Sequence, residues 1–302
     1  MSSQLLTENF GDLLDTRFAR IYDKEYAERI SESMIPMIFG MKTSTRNYEM
    51  MSGVGGLGDV QDFDGTISYD SFSQLYDTQV SFPESALGIK AERKLVDDEM
   101  FGILDARPWQ LAVSVARTRE KKGSAVFANA FTDASGGDGV ALCSSSHPYS
   151  PDDATTQSNS GSSPMSPTSV EATRRLGFTS VYNDRGQLMD VNYDTLIVPV
   201  SLEETGYELI NTSGKVDDDI NNVNFHKGRY RLVVWPRLTD SNNWFFMDSK
   251  LAKQFLLWWD RIKPEFNYDR DFDTMVAKWS VYYRCNTQFT GHQFIYGHNV
   301  SG

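Results

Sequence analysis

A long alternation of apolar and polar residues near the C-terminus is the strongest structural signal in this chain. Between residues 275 and 288 one side of the alternation carries Met275, Ala277, Trp279, Val281, Tyr283 and Cys285. A period of two predicts a half-buried strand, about 45 Å long at ~3.3 Å per residue. Residues 254–268 predict a second extended segment, and the polar residues 269–274 predict a turn between the two. Because such a hairpin far exceeds the usual strand length, we expect part of it to pack on another copy of the chain.

An N-terminal stretch shows helical periodicity. In residues 5–30 apolar side chains recur every four positions, among them Phe10, Leu14, Phe18 and Tyr22. This spacing predicts an amphipathic helix. Two interpretations stay open: an ordinary helix that faces the core, or an arm that lies across a neighbouring subunit.

Residues 97–131 give the strongest helix prediction. Three acidic residues at positions 97–99 suit the N-terminal end of a helix dipole, and an apolar stripe follows at steps of three and four. Pro108 lies inside this stripe, where it predicts a kink or the start of a second helix.

The remaining segments alternate between polar loops and short regular elements. Residues 40–95 are glycine-rich and then predict strands over 66–80 and 86–95, with too few bulky aliphatic residues for a core of their own. Residues 132–169 are rich in Ser, Gly, Thr and Pro. Beyond them the pattern predicts helices at 167–177 and from 201, and strands at 195–200, 230–235 and 244–247. The mixture indicates an α+β protein.

Charge and composition narrow the class of protein. The 302 residues carry a formal net charge of −12, which argues against a sequence-independent DNA binder, since such a protein needs a basic surface. Two distant cysteines give no disulfide framework and favour a reducing compartment. The N-terminus lacks the pattern of a signal peptide, and the longest apolar runs are too short to cross a membrane. We therefore expect a cytosolic protein without a membrane partner.

Two motifs resemble ligand sites but lack the required context. Residues Gly53–Gly58 match G-x-G-x-x-G, yet a polar stretch precedes them and no helical pattern follows, so a flexible hinge is the better interpretation. The acidic triplet Asp269, Asp271 and Asp273 begins like a calcium loop, but Thr274 stands where that loop needs glycine. No metal site and no cofactor are expected.

Nucleophilic catalysis has only a weak candidate. Cys143 and His147 could act as nucleophile and base, although nothing in the sequence orients the pair. The four histidines share no metal-ligand spacing. The sequence therefore predicts no enzyme.

The order of these segments resembles a known family. The patches LCSSSHP (142–148), LEETGYELI (202–210) and PEFN…DFDT…VYYR (264–284) occur in that order after the predicted long helix. Together they resemble the Mu-type major head subunits of tailed bacteriophages, capsid proteins of the Hong Kong 97 type of fold. The resemblance covers almost the whole chain and depends on segment order and on no catalytic signature.

The resemblance implies a division of the chain. Residues 1–45 would be the N-terminal arm and residues 46–95 an extended loop lying over an adjacent subunit. Residues 96–165 would form the peripheral domain with its spine helix, 166–250 the axial domain, and 251–302 the C-terminal β-hairpin of the peripheral domain. The resemblance implies these contact residues between subunits: Phe10, Leu14, Phe18, Tyr22, Phe63, Tyr69, Phe72 and Tyr76.

The same resemblance implies the function. We expect a major capsid protein that self-assembles into hexamers and pentamers of an icosahedral shell enclosing double-stranded DNA, without sequence-specific binding. It would be assembled in the host cytoplasm and become part of the virion, with separate scaffolding, portal and decoration proteins as possible partners. Because the arm-like helix begins near Met1, either scaffolding is a separate protein or this chain is the mature form.

Two other functions stay open at this point. The first is the shell of a protein nanocompartment with the same fold, which would enclose an enzyme in place of DNA. The second is a soluble enzyme that uses Cys143 or the Gly53–Gly58 loop.

Overall fold

The computed structural model describes residues 8–67, 69–71, 73–92, 101–214, 223–271 and 276–301. The helices are α1 (Glu8–Ser31), α2 (Ile35–Ile38), α3 (Phe101–Ala128), α4 (Pro167–Thr179), α5 (Glu203–Asn211) and α6 (Ser249–Phe255), with a 3-10 turn at Val200–Leu202. The strands are β1 (Gly40–Thr43), β2 (Tyr48–Val54), β3 (Gln74–Ser81), β4 (Glu84–Glu92), β5 (His147–Pro148), β6 (Thr156–Gln157), β7 (Ser160–Gly161), β8 (Thr195–Val198), β9 (Arg231–Val234), β10 (Trp244–Met247), β11 (Leu256–Asp271), β12 (Val276–Phe289) and β13 (Ile295–His298).

The predicted C-terminal hairpin is the centre of a four-stranded sheet with the order β1-β11-β12-β4. β11 and β12 pair antiparallel from Leu256 opposite Phe289 to Asp271 opposite Val276. One face of β12 is buried, as the alternation predicts, and carries Trp279, Val281, Tyr283 and Cys285. Residues 269–271, predicted as turn, continue strand β11, and residues 272–274 of the predicted turn lie outside the described part of the chain.

Helix α3 packs against this sheet as one uninterrupted element. Pro108 lies inside it, so the prediction of a second helix starting at this proline was wrong. Leu111 and Val115, one and two turns further on, are buried in the main core. We attribute the continuous helix to this packing, which outweighs the loss of one backbone hydrogen bond at the proline.

Helix α1 covers the other end of the hairpin. The Phe18 ring lies 5.0 Å from the Trp279 ring, and the Tyr22 ring stacks on Phe266 at 5.2 Å. Both side chains are buried within their own subunit. These contacts agree with the core-facing interpretation of this helix.

A five-stranded sheet with the order β7-β13-β10-β8-β9 supports a second core. The predicted strands β8, β9 and β10 and the helices α4 and α5 are present near their expected bounds. β13 pairs antiparallel with β10, Trp244 lying opposite His298. The chain therefore leaves the long hairpin after β12, and its last strand, β13, lies in the other sheet. The segment 251–302, which the resemblance assigned to one domain, thus contributes strands to both sheets.

The extended loop (residues 46–95) contains an antiparallel ribbon of β2 and β3, and β4 returns from it to pair with β12. The sequence did not predict β2. In this strand the large apolar side chains Tyr48, Met50 and Val54 face solvent, which is the reverse of a strand with a buried apolar face. The strand predicted over 66–80 begins only at Gln74. Among the described residues, no helix combines the length and apolarity that crossing a membrane requires.

Candidate functional site

The extended loop exposes two of its four aromatic side chains that were expected to contact a neighbour. Phe63 is 75% exposed and Tyr69 is 90% exposed. Tyr76 is half-buried, and burial, together with the charge of Asp138, raises the pKa of its hydroxyl. Phe72 lies outside the described residues.

The four candidates on α1 have a different environment. Phe18 and Tyr22 are 0% and 1% exposed, so in this conformation their own subunit already fills the space around them. The side chains of Phe10 and Leu14 lie outside the described part of the structure. Among the described candidates, the side chains that are free to contact another subunit therefore lie on the extended loop.

Further apolar side chains on this loop were missed from the sequence. The exposed ones are Tyr48, Met50, Val54, Leu57, Val60, Ile67 and Leu87. A signal was available for the first three, since they occupy alternate positions of β2. Taken together, they make the loop an apolar surface that its own subunit leaves uncovered, a feature typical of protein–protein contacts.

The Gly53–Gly58 segment binds two carboxylates of its own chain through backbone N–H groups. The backbone N–H of Gly56 donates to Asp184 Oδ1 at 3.0 Å, and the N–H of Gly58 donates to Asp70 Oδ2 at 2.7 Å. β2 ends at Val54 and the described residues that follow, up to Ile67, form no helix. A dinucleotide site needs a helix N-terminus at that point, so the arrangement does not fit one.

Cys143 lies in the main core, and no hydrogen bond among the described residues joins its thiol to His147. It is 2% exposed, and burial raises the pKa of its thiol well above the ordinary value. The thiolate, which is the nucleophilic form, is therefore suppressed. The Nδ1 atom of His147 lies instead 2.6 Å from Asp138 Oδ2.

Asp138, His147 and His292 form a buried cluster that the sequence did not reveal. Their potential ligand atoms lie within 4.8 Å of one another. The two imidazole rings, however, stack at 3.7 Å and lie 8° from parallel. Because imidazole binds a metal in the plane of its ring, two stacked rings cannot direct their nitrogens at one ion.

The charges of this cluster fit a structural anchor. Burial and the neighbouring His147 lower the pKa of His292 to about 3, against the opposing effect of Asp138. His292 is therefore neutral near pH 7, and Asp138 accepts the hydrogen bond from His147. The cluster joins the turn before β5, strand β5 and the connection between β12 and β13.

Comparison with known proteins decides the family. Residues 85–296 match the family model described as phage capsid protein. The chain belongs to the phage capsid protein family. Comparison of the sequence with curated proteins gives no match.

Solved capsids share the fold over most of the chain. A subunit in the procapsid of bacteriophage JBD30 aligns with a TM-score of 0.58 at 14% identity, covering 98% of this chain and 77% of that one. A chain in the capsid of cyanophage P-SCSP1u aligns with a TM-score of 0.60 at 8% identity, covering 88% of each chain. A chain described as Microbacterium phage Oxtober96 gives 0.53 at 9% identity, with 89% and 91% covered. At such low identities the likeness concerns the fold.

Family and fold together confirm the expectation from the sequence. The protein has the α+β fold of tailed-phage capsid subunits and is a major capsid protein, a structural component of the phage shell.

Proposed function

We propose that this capsid protein assembles into hexamers and pentamers of an icosahedral shell, in which the extended loop lies over an adjacent subunit. The observation that supports this most directly is the row of exposed apolar side chains on the loop, from Tyr48 to Tyr69. Burying apolar surface contributes roughly 25 cal/mol per Å² before ordering costs are subtracted. A shell repeats this contact in every subunit.

The shell would enclose double-stranded DNA without binding its sequence. A net charge of −12 disfavours adhesion to phosphates, since binding them requires Lys and Arg. We propose that the shell is assembled in the host cytoplasm with a separate scaffolding protein and a portal. Decoration proteins are further possible partners, because the capsid of bacteriophage JBD30 is described as decorated with minor capsid protein trimers.

The proposed division of the chain places the four-stranded sheet and α3 in the peripheral domain and the five-stranded sheet with α4 and α5 in the axial domain. The apolar core between α4, α5 and one face of the five-stranded sheet supports this division. The other face of that sheet, with Ile197, Phe245 and Ile295, packs into the core that also contains α3 and β12. Because β13 belongs to the second sheet, we propose that the boundary of the C-terminal peripheral segment lies between Phe289 and Ile295.

A structural role without catalysis is part of the proposal. The buried Cys143 and the glycine segment engaged by Asp184 offer no accessible nucleophile or phosphate cradle among the described residues. If an activity were found in the purified protein, its survival in Cys143→Ala and Gly55→Ala variants would separate it from these two sites.

The decisive experiment is assembly of the purified protein, with its scaffold where one is required. We expect closed shells by negative-stain electron microscopy and a fast-sedimenting species by ultracentrifugation. Monomers alone at high concentration would contradict the proposal. Shells that copurify with an enzyme and exclude DNA would support the nanocompartment in place of a phage head.

A further inference from the structure

A rigid turn of the five-stranded-sheet region faces the extended loop. In the turn Asn183–Gln187, the N–H of Asn183 donates to the carbonyl of Gln187 at 2.9 Å. The side-chain oxygen of Asn183 accepts from the N–H groups of Arg185 and Gln187 at 2.9 and 2.8 Å. Gly186 takes the positive φ of +73° that closes the turn. The backbone beneath Asp184 and Arg185 is therefore fixed before either side chain meets the loop.

These two side chains hold both ends of one stretch of the loop. At the first end, Asp184 accepts from the N–H of Gly56 through both oxygens, at 3.0 and 3.2 Å. At the second end, Arg185 Nη1 lies 2.8 Å from Asp70 Oδ2, and its other Nη donates to the carbonyl of Ser71. An acid thus binds a backbone donor while the adjacent base binds a carboxylate and a carbonyl, which are charge-assisted contacts.

The glycines of the loop fit this arrangement. A Cβ at position 55 would lie 2.7 Å from Asp184 Oδ2, closer than real Cβ contacts allow. The N–H of Gly58 and the guanidinium of Arg185 lower the pKa of the Asp70 carboxyl, which favours its charged form. Within the G-x-G-x-x-G pattern, Gly55 and Gly56 thus leave room for the carboxylate of Asp184, whereas Gly53 lies against Leu75.

Between the two held ends, apolar side chains point to solvent. Leu57, Val60, Phe63, Ile67 and Tyr69 are 65%, 100%, 75%, 65% and 90% exposed. We call the described residues 57–67 together with Tyr69 the loop tip. Its own chain secures the tip by polar contacts at its ends and leaves its apolar side chains uncovered.

We propose that Asp184 and Arg185 form a clamp that fixes the ends of the loop tip, so that its apolar side chains are presented to a second copy of this chain. This inference rests on the proposed function and adds to it the residues that position the contact. A loop fixed before binding loses less conformational entropy on association, which favours assembly.

Charge complementarity points to a second copy as the occupant. Between Arg46 and Lys90 the loop has no basic residue and seven acidic ones, which are Glu49, Asp59, Asp62, Asp64, Asp70, Asp77 and Glu84. A receiving surface must therefore be apolar or basic. Helix α3 of another copy exposes the basic residues Arg107, Arg117 and Lys121, so it offers a basic receiving surface.

The clamp is tested first by limited proteolysis of the unassembled protein with chymotrypsin. The exposed Phe63 and Tyr69 are cleavage sites within the tip, and their cleavage reports how often the loop is released. Asp184→Ala and Arg185→Ala should each raise the cleavage rate, by up to about fivefold for contacts of this exposed kind. Unchanged cleavage in both variants would overturn the clamp.

A matched control and a charge reversal sharpen this test. Arg175 is also exposed and paired with a carboxylate, Glu171, but away from the loop; Arg175→Ala should leave cleavage at the wild-type rate. The single variants Asp70→Arg and Arg185→Asp should each be cleaved faster than the wild type. The double variant Asp70→Arg, Arg185→Asp restores the opposite charges and should recover part of the lost protection. A double variant cleaved as fast as the singles would show that the ionic contact does not hold the loop.

Assembly provides the second readout. In the clamp variants, the protein concentration at which half of the subunits enter shells should rise by a factor similar to that seen in proteolysis. If the wild type forms shells and the variants match it in both assays, the clamp is wrong and the proposed function stands. If the wild type forms no shells while the proteolysis results hold, the proposed function fails and the clamp remains as a feature of the monomer.

Discussion

The most deeply buried ion pair among the described residues joins Arg119 of α3 to Asp260 of β11. Its two nitrogen–oxygen distances are 2.8 and 3.0 Å, and the Trp258 indole N–H donates to the same carboxylate at 3.1 Å. Both side chains are less than a tenth exposed. Removing one partner of such a pair leaves an uncompensated charge in the core, which is far more destabilising than removing both.

We predict that Arg119→Met lowers the free energy of unfolding by about 3–5 kcal/mol. Urea denaturation measures this change. Arg175→Ala, which breaks an exposed pair, should change stability little. The double variant Arg119→Met, Asp260→Asn should be more stable than Arg119→Met alone. If Arg119→Met lowered the free energy of unfolding no more than Arg175→Ala does, the prediction would be contradicted.

His298 makes the fold sensitive to acid. Its Nδ1 accepts from the N–H of Ser163 at 3.2 Å, its Nε2 lies 2.8 Å from Thr173 Oγ1, and its ring stacks on Trp244 at 4.0 Å. Burial lowers its pKa from the ordinary 6.5 to about 4. Between these values the unfolded chain binds the proton and the folded chain does not, so stability falls as the pH falls.

We predict a loss of about 2 kcal/mol from this residue between pH 7 and pH 5, following from the shift in pKa. Unfolding in urea at the two pH values measures it. His298→Gln should be less stable than the wild type at pH 7 but lose less on acidification. Because His292 also makes the stability of the wild type depend on pH, the result is the difference between the losses of unfolding free energy of the two proteins from pH 7 to pH 5. Equal losses in the wild type and in His298→Gln would rule out His298 as a source.

At the scale of elements, the packing of helix α1 favours one of the two interpretations that its sequence left open. Phe18 packs on Trp279 and Ala91, so it belongs to a core that its own chain completes. A helical arm that only crossed to a neighbour would leave the stability of the monomer unchanged when Phe18 is shortened.

We therefore predict that Phe18→Ala lowers the free energy of unfolding of the monomer by about 3–5 kcal/mol, as expected for a buried phenylalanine. Arg20→Ala on the exposed side of α1 is the matched control and should have little effect. The measurement is urea unfolding under conditions in which no shells form. Wild-type stability combined with failed assembly would restore the arm interpretation.

At the scale of the whole molecule, folding and assembly depend on different sets of apolar residues. Those on β12 and α3 are buried within the subunit, whereas those on the loop tip are exposed. Substitutions on the tip should therefore separate stability from association.

We predict that the double variant Phe63→Ser, Tyr69→Ser unfolds within about 0.5 kcal/mol of the wild type. Its assembly should require a protein concentration about tenfold higher or more, since aromatic residues dominate protein–protein contacts. Light scattering against concentration measures the second effect. Assembly at the wild-type concentration would remove these two side chains from the contact between subunits.

Long and consistent patterns of apolar residues were enough to predict the principal elements. The alternation around Val281 and the apolar stripe through Leu111 predicted β12 and α3, because one face of each must be buried whatever its partner. Phe63 and Tyr69 became contact candidates through the family resemblance; both side chains are exposed, and their contact with a neighbouring subunit stays a prediction.

Only the tertiary structure decided which apolar residues are covered and by what. Phe18 and Phe63 are the same residue type, but Phe18 packs on Trp279 while Phe63 is 75% exposed. The cluster of His147 with His292 and the contact of Asp184 with Gly56 join residues more than a hundred positions apart. Period and composition describe neighbours along the chain, whereas burial and charge pairing depend on segments that meet only once the sheets have formed.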